Sequence, residues 1–377
     1  MTRTADPGGA ASALPVVVVE EDRVLRLVQV ILDPTTPAER VAAFADYNST
    51  DLADFAAWLT ALRARIPALY PAQVRLVNSP AEFKAALPQA EVAIVESLAV
   101  GADELALAPR LAVVQNFGLL ADNVDATACQ QRGLPVLTLR RRTNIAMAEH
   151  TLLLLLALAR RLPLIKGTVS ASRLAAAGFA HRPYDSRHTA SANYGRIPDL
   201  RTLHGLSLGL LGFGEIAREV AARARAFGMN VLYHKRSRLG AAEEAALGVR
   251  YCAFDELFER AEFLSVHVPY SAATRGLVDA SALQRLPAGA YLINTARADI
   301  VDHDALVAAL QSGHLAGAGC DVLYGEPTPD TDPLLGFDQV ILTPHLGGAS
   351  RMNGLQDAEA MLLQIDAALR ATRPAQS

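Results

Sequence analysis

Cysteine is scarce in this chain of 377 residues: Cys129, Cys252 and Cys320 lie far apart, and no C-x-x-C pair occurs. That scarcity argues against a disulfide framework or a zinc site and fits a reducing compartment. A dominant charge is also missing, since 35 Lys and Arg against 39 Asp and Glu leave a net charge of −4. Neither nucleic acid nor an anionic membrane is therefore expected as a bulk partner. No apolar run is long enough to span a bilayer. The most apolar one, Leu152 to Ala159, is closed by Arg160 and Arg161 and reads as a buried helix. Met1 to Ser12, rich in Gly, Ala and Thr, holds no apolar segment of the signal-peptide kind and reads as a disordered tail. A cytoplasmic protein with no bound metal is expected.

What is present is an ordinary globular balance, 51% hydrophobic and 20% charged, in a length that suggests two domains. Strand-like and helix-like segments alternate almost throughout, which implies an α/β architecture with mainly parallel sheet. In the first third, strands are expected at Val24–Leu32, Val74–Val77, Ala93–Val95, Leu111–Val114 and Val136–Leu139, with helices at Asp51–Arg65 and Ala81–Leu87. A helix over Ile145–Arg161 precedes a long aperiodic stretch, roughly Gly167 to Thr202, of the kind that is usually functional or interface-forming. From Leu206 onward the pattern predicts six strands, Ser207–Leu211, Asn230–Tyr233, Phe263–Val268, Tyr291–Asn294, Ala316–Cys320 and Val340–Thr343, with helices at Glu215–Phe227, Phe254–Ala261 and His303–Ser312 between them. Such a series matches a doubly wound dinucleotide-binding unit.

The segment Gly212-Phe-Gly214-Glu-Ile-Ala217 joins the first of those strands to the following helix. Glycine at 212 permits a tight turn, and glycine at 214 lets backbone approach a pyrophosphate over the helix N-terminus. Ala217 stands where a third glycine is usual and is still small enough for close helix–strand packing. Alone, G-x-G-x-x-A is a weak signal; a strand before it, a helix after it and a second strand at the proper distance make it specific. A carboxylate is expected some 20 residues on, to hold the ribose hydroxyls. The chain instead reads His234-Lys235-Arg236-Ser237-Arg238. Without an acid to repel a 2′-phosphate, and with cations to pair with one, NADP is favoured over NAD; the plainer alternative is a solvated basic loop that tolerates either.

Three segments carry candidate chemistry: Asn294-Thr-Ala-Arg297, Asp321 to Glu326-Pro327, and Thr343-Pro-His345-Leu-Gly347-Gly348. Each follows a predicted strand, the side on which this fold opens its ligand crevice. A histidine can give a proton to a carbonyl oxygen near neutral pH. A neighbouring carboxylate favours the imidazolium, and a guanidinium can bind a substrate carboxylate while polarising the carbonyl. Separately, Arg297 could be pairing with a surface acid, Glu326 could be a turn residue, and His345 could be a structural loop residue. Their joint occurrence at three strand ends favours a catalytic set.

These motifs, with Asp122-Asn-Val-Asp125, Ala148-Glu-His150 and Val266-His-Val-Pro269, resemble the D-isomer-specific 2-hydroxyacid dehydrogenase family over roughly residues 90 to 350. The 29 and 19 residues that separate Arg297, Glu326 and His345 suit that family. The resemblance implies two Rossmann-like doubly wound parallel-sheet domains with a cleft between them. A discontinuous substrate domain would comprise residues 1–146 plus 347–377, and the dinucleotide-binding domain residues 147–346. It implies interconversion of a small 2-keto acid and its D-2-hydroxy acid, and a homodimer. It would put Glu215 and Ile216, with Gly212 and Gly214, at the pyrophosphate, while the charge of the loop after the second strand puts Lys235 and Arg236 at the ribose. Val268, Pro269, Thr295, Ala296, Asp321, Gly347 and Gly348 would complete the cofactor site. Gly118 and Leu119 would meet the substrate carboxylate, with Ser97 beside it and Arg297 opposite.

The chain departs from the family pattern at three places. Phe117-Gly-Leu-Leu-Ala121 stands where Gly-x-Gly is common, Arg297 is followed by Ala298-Asp299 and not by Gly-Gly, and Arg140-Arg-Arg-Thr-Asn144 replaces a Pro-Gly turn. The arginine triplet could recognise a phosphate or a second carboxylate, or be a solvated or domain-contact cluster. Two other readings stay open: a non-enzymatic dinucleotide-sensing regulator, and a dehydrogenase of formate or phosphite type.

Overall fold

A computed structural model describes residues 14–179, 181–190, 192–348 and 350–372. The N-terminal tail expected at Met1 to Ser12 lies outside the described residues. The chain divides into two compact units, Met1–Thr143 with Ser350–Ser377, and Asn144–Ala349.

The first unit is built on a five-stranded sheet of order β2-β1-β3-β4-β5, with every pairing parallel. Its strands are β1 (Val16–Glu20), β2 (Gln73–Val77), β3 (Val92–Val95), β4 (Val113–Asn116) and β5 (Val136–Leu137). Helices cover both faces, so an inner strand such as β1 needs apolar residues on both sides. Val17 and Val19 enter one buried cluster, while Val16 and Val18 enter the other. Each such valine contributes about 1.5–3 kcal/mol of burial. The C-terminal helix Arg351–Thr372 joins the first cluster through Leu355, Met361, Leu362, Ile365 and Leu369.

One expectation here is wrong. Val24–Leu32 is not a strand; Arg26–Leu32 is a helix, entered through a turn in which the Asp22 side chain accepts the N–H of Val24 at 2.7 Å. Val16–Glu20 already holds an inner strand position, between β2 and β3. Leu27, Val28, Val30, Ile31 and Leu32 are all buried, and Arg26 with half-buried Gln29 is too little to mark the helical period.

The second unit carries a seven-stranded sheet of order β12-β11-β10-β9-β6-β7-β8, again parallel throughout. The strands are β6 (Ser207–Leu211), β7 (Asn230–His234), β8 (Arg250–Tyr251), β9 (Phe263–Val266), β10 (Ala290–Asn294), β11 (Leu315–Cys320) and β12 (Val340–Leu342). Six were expected. The seventh, β8, has two residues on the sheet edge, too few to show a period. Strand order reverses between β6 and β9, and a doubly wound sheet opens its crevice at that point, beyond the carboxyl ends of the strands. Helix Arg142–Ala159 buries Leu152, Leu154, Leu155 and Leu158 in the core of this unit. Within the long stretch after it, Ala171–Ala176 is a short helix.

Candidate active site

The glycine turn lies at the point of strand reversal. Gly212 has φ +93°, and a Cβ there would lie 2.7 Å from the backbone of His267 and Val268 at the end of β9. Only glycine meets both conditions. Gly214 begins helix Glu215–Ala226, and no side chain caps that helix. A Cβ built on Gly214 would meet nothing within 4 Å, so the space before the helix N-terminus is open. Open space, uncapped N–H groups and the positive end of a 12-residue helix fit a pyrophosphate. Ala217 is fully buried among Leu208, Leu210 and Phe213. Glu215 accepts the amide of Asn144 at 2.7 Å, and Ile216 packs at the margin of the core.

β7 ends in His234, with no acid in the residues that follow up to Arg238, and its Nδ1 lies 3.0 Å from the Cys252 carbonyl oxygen. Arg238 does not add to the cations at this edge. It donates to both oxygens of Glu244 at 2.8 and 2.9 Å, and with the Tyr233 hydroxyl it holds that carboxyl at about 2. Lys235 is half-buried and Arg236 exposed. Those two remain as candidate partners of a 2′-phosphate.

The candidate catalytic residues lie past the ends of β10, β11 and β12. The Asn294 side chain closes its turn from both sides, accepting the N–H of Ala296 at 3.1 Å and donating to the carbonyl of Arg297 at 3.0 Å. Arg297 is thereby turned outward; it is exposed, and its Nη1 donates to the Ala296 carbonyl at 2.6 Å. Thr295 is buried, its hydroxyl 3.1 Å from that of Thr151. His345 Nδ1 meets Glu326 Oε2 at 2.9 Å, and Leu323 N–H donates to Glu326 Oε1 at 3.2 Å. The hydrogen bond with His345 holds the Glu326 carboxyl below its ordinary range; burial opposes this, and the charge of Arg297 is among the groups that reinforce it. The carboxylate thus links all three, by direct contact with the imidazole and through space with the guanidinium. His345 has φ +52°, an uncommon backbone for a non-glycine residue.

Asp321, at the end of β11, is fully buried. Burial would raise its pKa, but His150, the Thr343 hydroxyl and the N–H groups of Leu346 and Gly347 bring it down to about 2. Its oxygens accept from Leu346 at 3.0 Å and Gly347 at 2.8 Å, so it anchors the loop that carries His345. A Cβ on Gly347 would fall 2.9 Å from Asp321 Oδ2 and 3.1 Å from His150 Cδ2. His150 and Thr343 were not among the candidates read from the sequence. Their signal was only that each sits inside a motif, Ala148-Glu-His150 and Thr343-Pro-His345. Val268 and Pro269 follow β9, where burial holds the neighbouring His267 neutral with a pKa of about 4. Ala296 and Gly348 are half-buried in their loops.

Apart from Arg297, the candidate substrate residues belong to the other unit. The Ser97 hydroxyl donates to Glu20, and the same carboxylate accepts the N–H groups of Glu96, Ser97 and Leu98 at 2.7, 2.8 and 2.9 Å. Gly118 accepts the N–H of Leu139 at 2.8 Å, and Leu119 is exposed. Of the arginine triplet, Arg141 is not solvated: it pairs with Glu96 at 2.7 Å and lies 4.1 Å above the Phe117 ring. Among the described residues, no group of three or more His, Cys, Asp or Glu side chains could hold a metal ion. None of the described helices is long and apolar enough to cross a membrane.

The family model for the D-isomer specific 2-hydroxyacid dehydrogenase, NAD binding domain, matches residues 152–347. The D-3-phosphoglycerate dehydrogenase of Mycobacterium leprae is 36% identical over 281 residues, 74% of this chain and 49% of that protein. The chain therefore spans about half the length of that relative. The glyoxylate reductase of Thermofilum pendens is 31% identical over 275 residues, 73% of this chain and 77% of that protein. The apo D-mandelate dehydrogenase structure from Rhodotorula graminis superposes with a TM-score of 0.53 at 25% identity, covering 93% of this chain and 92% of that one.

Proposed function

Because this chain belongs to the D-isomer specific 2-hydroxyacid dehydrogenase family, we propose that it interconverts a small 2-keto acid and its D-2-hydroxy acid with a nicotinamide dinucleotide. The contact between His345 Nδ1 and Glu326 at 2.9 Å, past the ends of neighbouring strands, carries this reading. Bound nicotinamide supplies or accepts the hydride. The Gly212–Gly214 turn and the helix N-terminus at Glu215 and Ile216 hold the pyrophosphate. Val268, Pro269, Thr295, Ala296, Asp321, Gly347 and Gly348 surround the nicotinamide half.

In the reductive direction, His345 donates a proton from Nε2 to the carbonyl oxygen. Glu326 fixes Nδ1 as a donor, orients the ring and stabilises its charge. Arg297 binds the substrate carboxylate and polarises the carbonyl. The backbone at Gly118 and Leu119 meets the same carboxylate, and Ser97, oriented by Glu20, flanks it. Residues 147–346 act as the dinucleotide-binding domain, and 1–146 with 347–377 as the substrate domain. NADP is preferred over NAD, because Lys235 and Arg236 stand where an acid would hold the ribose.

The protein acts as a homodimer, as the family likeness implies. A cytoplasmic setting suits three unpaired, buried cysteines. The test is a panel of small 2-keto acids with NADPH and with NADH, followed by the near-ultraviolet absorbance of the reduced cofactor. Turnover of at least one acid, faster with NADPH, is expected. No oxidation of either cofactor by any acid overturns the assignment.

A further inference from the structure

We infer that His150 is a positioning residue for His345, acting through Thr343 and Asp321; the inference rests on the reading of His345 as the proton donor. The left-handed backbone of His345 must be held by its surroundings. The holding group is the fully buried carboxylate of Asp321. It accepts the two amides that follow His345, those of Leu346 and Gly347, and also the hydroxyl of Thr343, two residues before. The His345 amide itself donates to the Thr343 carbonyl at 2.9 Å. Residues 343 to 347 are therefore clamped to a single side chain.

His150 closes that clamp. It comes from helix Arg142–Ala159, is itself buried, and puts Nε2 3.0 Å from Thr343 Oγ1 and 3.3 Å from Asp321 Oδ1. The proton order follows from the inventory of donors. An ionised carboxylate only accepts, so the single Thr343 hydroxyl proton goes to Asp321. Thr343 Oγ1 must then accept, which makes His150 Nε2 the donor. The loop also packs on the imidazole itself, since a Cβ on Gly347 would fall 3.1 Å from His150 Cδ2. Without the Nε2–H, Thr343 loses the partner that directs its hydroxyl, and a buried carboxylate loses a neighbouring donor. The backbone that aims His345 at Glu326 then loosens. His150 touches neither reacting atoms nor Glu326 in this scheme; it acts at one remove, as outer-shell partners do around other tightly oriented histidines.

The test compares His150→Leu, which removes the donor, with His150→Gln, whose amide restores one, and with Thr343→Val, all in the full chain. His150→Leu should lower kcat by about 10–100-fold while the keto-acid KM stays within about twofold. His150→Gln should recover most of that loss. Thr343→Val should match His150→Leu, and the double variant should be no worse than either single one. A His150→Leu enzyme with wild-type kcat, or a His150→Gln enzyme no better than His150→Leu, overturns the inference. The side-chain NMR signals of His345, followed with and without His150→Leu, need no turnover. They should move when the clamp is broken. Unmoved signals overturn the positioning role even where the enzyme proves inactive on every keto acid, and moved signals sustain it there, so the two failures are distinguishable. Should His150→Leu not fold, His150→Gln and Thr343→Val are read against wild type by the same NMR signals.

Discussion

Replacing Asp321 by asparagine removes the charge of the clamp while keeping its size. The wild-type carboxyl lies at about 2 where an ordinary aspartate lies at 3.8. At about 1.36 kcal/mol per tenfold in proton affinity, that difference makes ionised Asp321 worth on the order of 2 kcal/mol of stability at neutral pH. An amide at this position cannot accept from all of Thr343, Leu346 and Gly347, and it turns an N–H toward at least one of their donors. For a unit of this size the loss corresponds to a fall in Tm of about 4–8 °C. The pH dependence gives the reasoning its sign. The folded pKa is depressed, so the stabilisation is complete above the unfolded value near 3.8 and disappears as pH falls through the folded value near 2. Thermal unfolding by circular dichroism, for wild type and Asp321→Asn at pH 7, 5 and 3, should show a constant gap at the two higher values. The gap should narrow at pH 3. A gap that is absent at pH 7, or as large at pH 3 as at pH 7, refutes the assignment of this stability to the ionised carboxylate.

Arg297→Ala should raise the keto-acid KM and lower kcat, read from steady-state reduction rates; an unchanged KM would place Arg297 away from the substrate carboxylate. Lys235→Asp combined with Arg236→Ser should move the kcat/KM ratio for NADPH over NADH toward NADH by tenfold or more, because two cations are lost and an acid is gained beside the ribose. An unchanged ratio would show that neither residue reads a 2′-phosphate. Glu326→Gln should slow keto-acid reduction and shift the alkaline limb of its pH profile to lower pH, since the group favouring the charged imidazole is gone. A profile that drops in height without moving would reduce Glu326 to a steric part.

Most of the second unit was readable in the sequence because its strands are short apolar runs punctuated by glycine turns and helices of clear period. Strand β8 was not, since two residues on an edge carry no pattern. In the first unit, Val24–Leu32 was misread because a helix buried everywhere but at Arg26 and Gln29 shows too little polar period, and Val16–Glu20 was passed over though its valines are buried on an inner strand of the sheet. Arg297, Glu326 and His345 stood out as candidates because each follows a strand, and parallel topology gathers strand ends on one side. The Arg238–Glu244 pair was not legible: counting cations along a loop does not reveal that one is neutralised from the first turn of the next helix. Nor was the clamp of His150, Asp321 and Thr343. Its members come from a helix, a strand end and a loop, and only the folded chain shows that one buried carboxylate collects their donors.

The role of His345 is tested most directly by the rate of keto-acid reduction in His345→Ala, measured together with NADPH affinity by fluorescence titration. Loss of the imidazole should cut kcat by two to four orders of magnitude, the usual contribution of a positioned acid, while the dissociation constant for NADPH stays close to wild type. A variant that turns over at the wild-type rate would contradict the proposed chemistry outright.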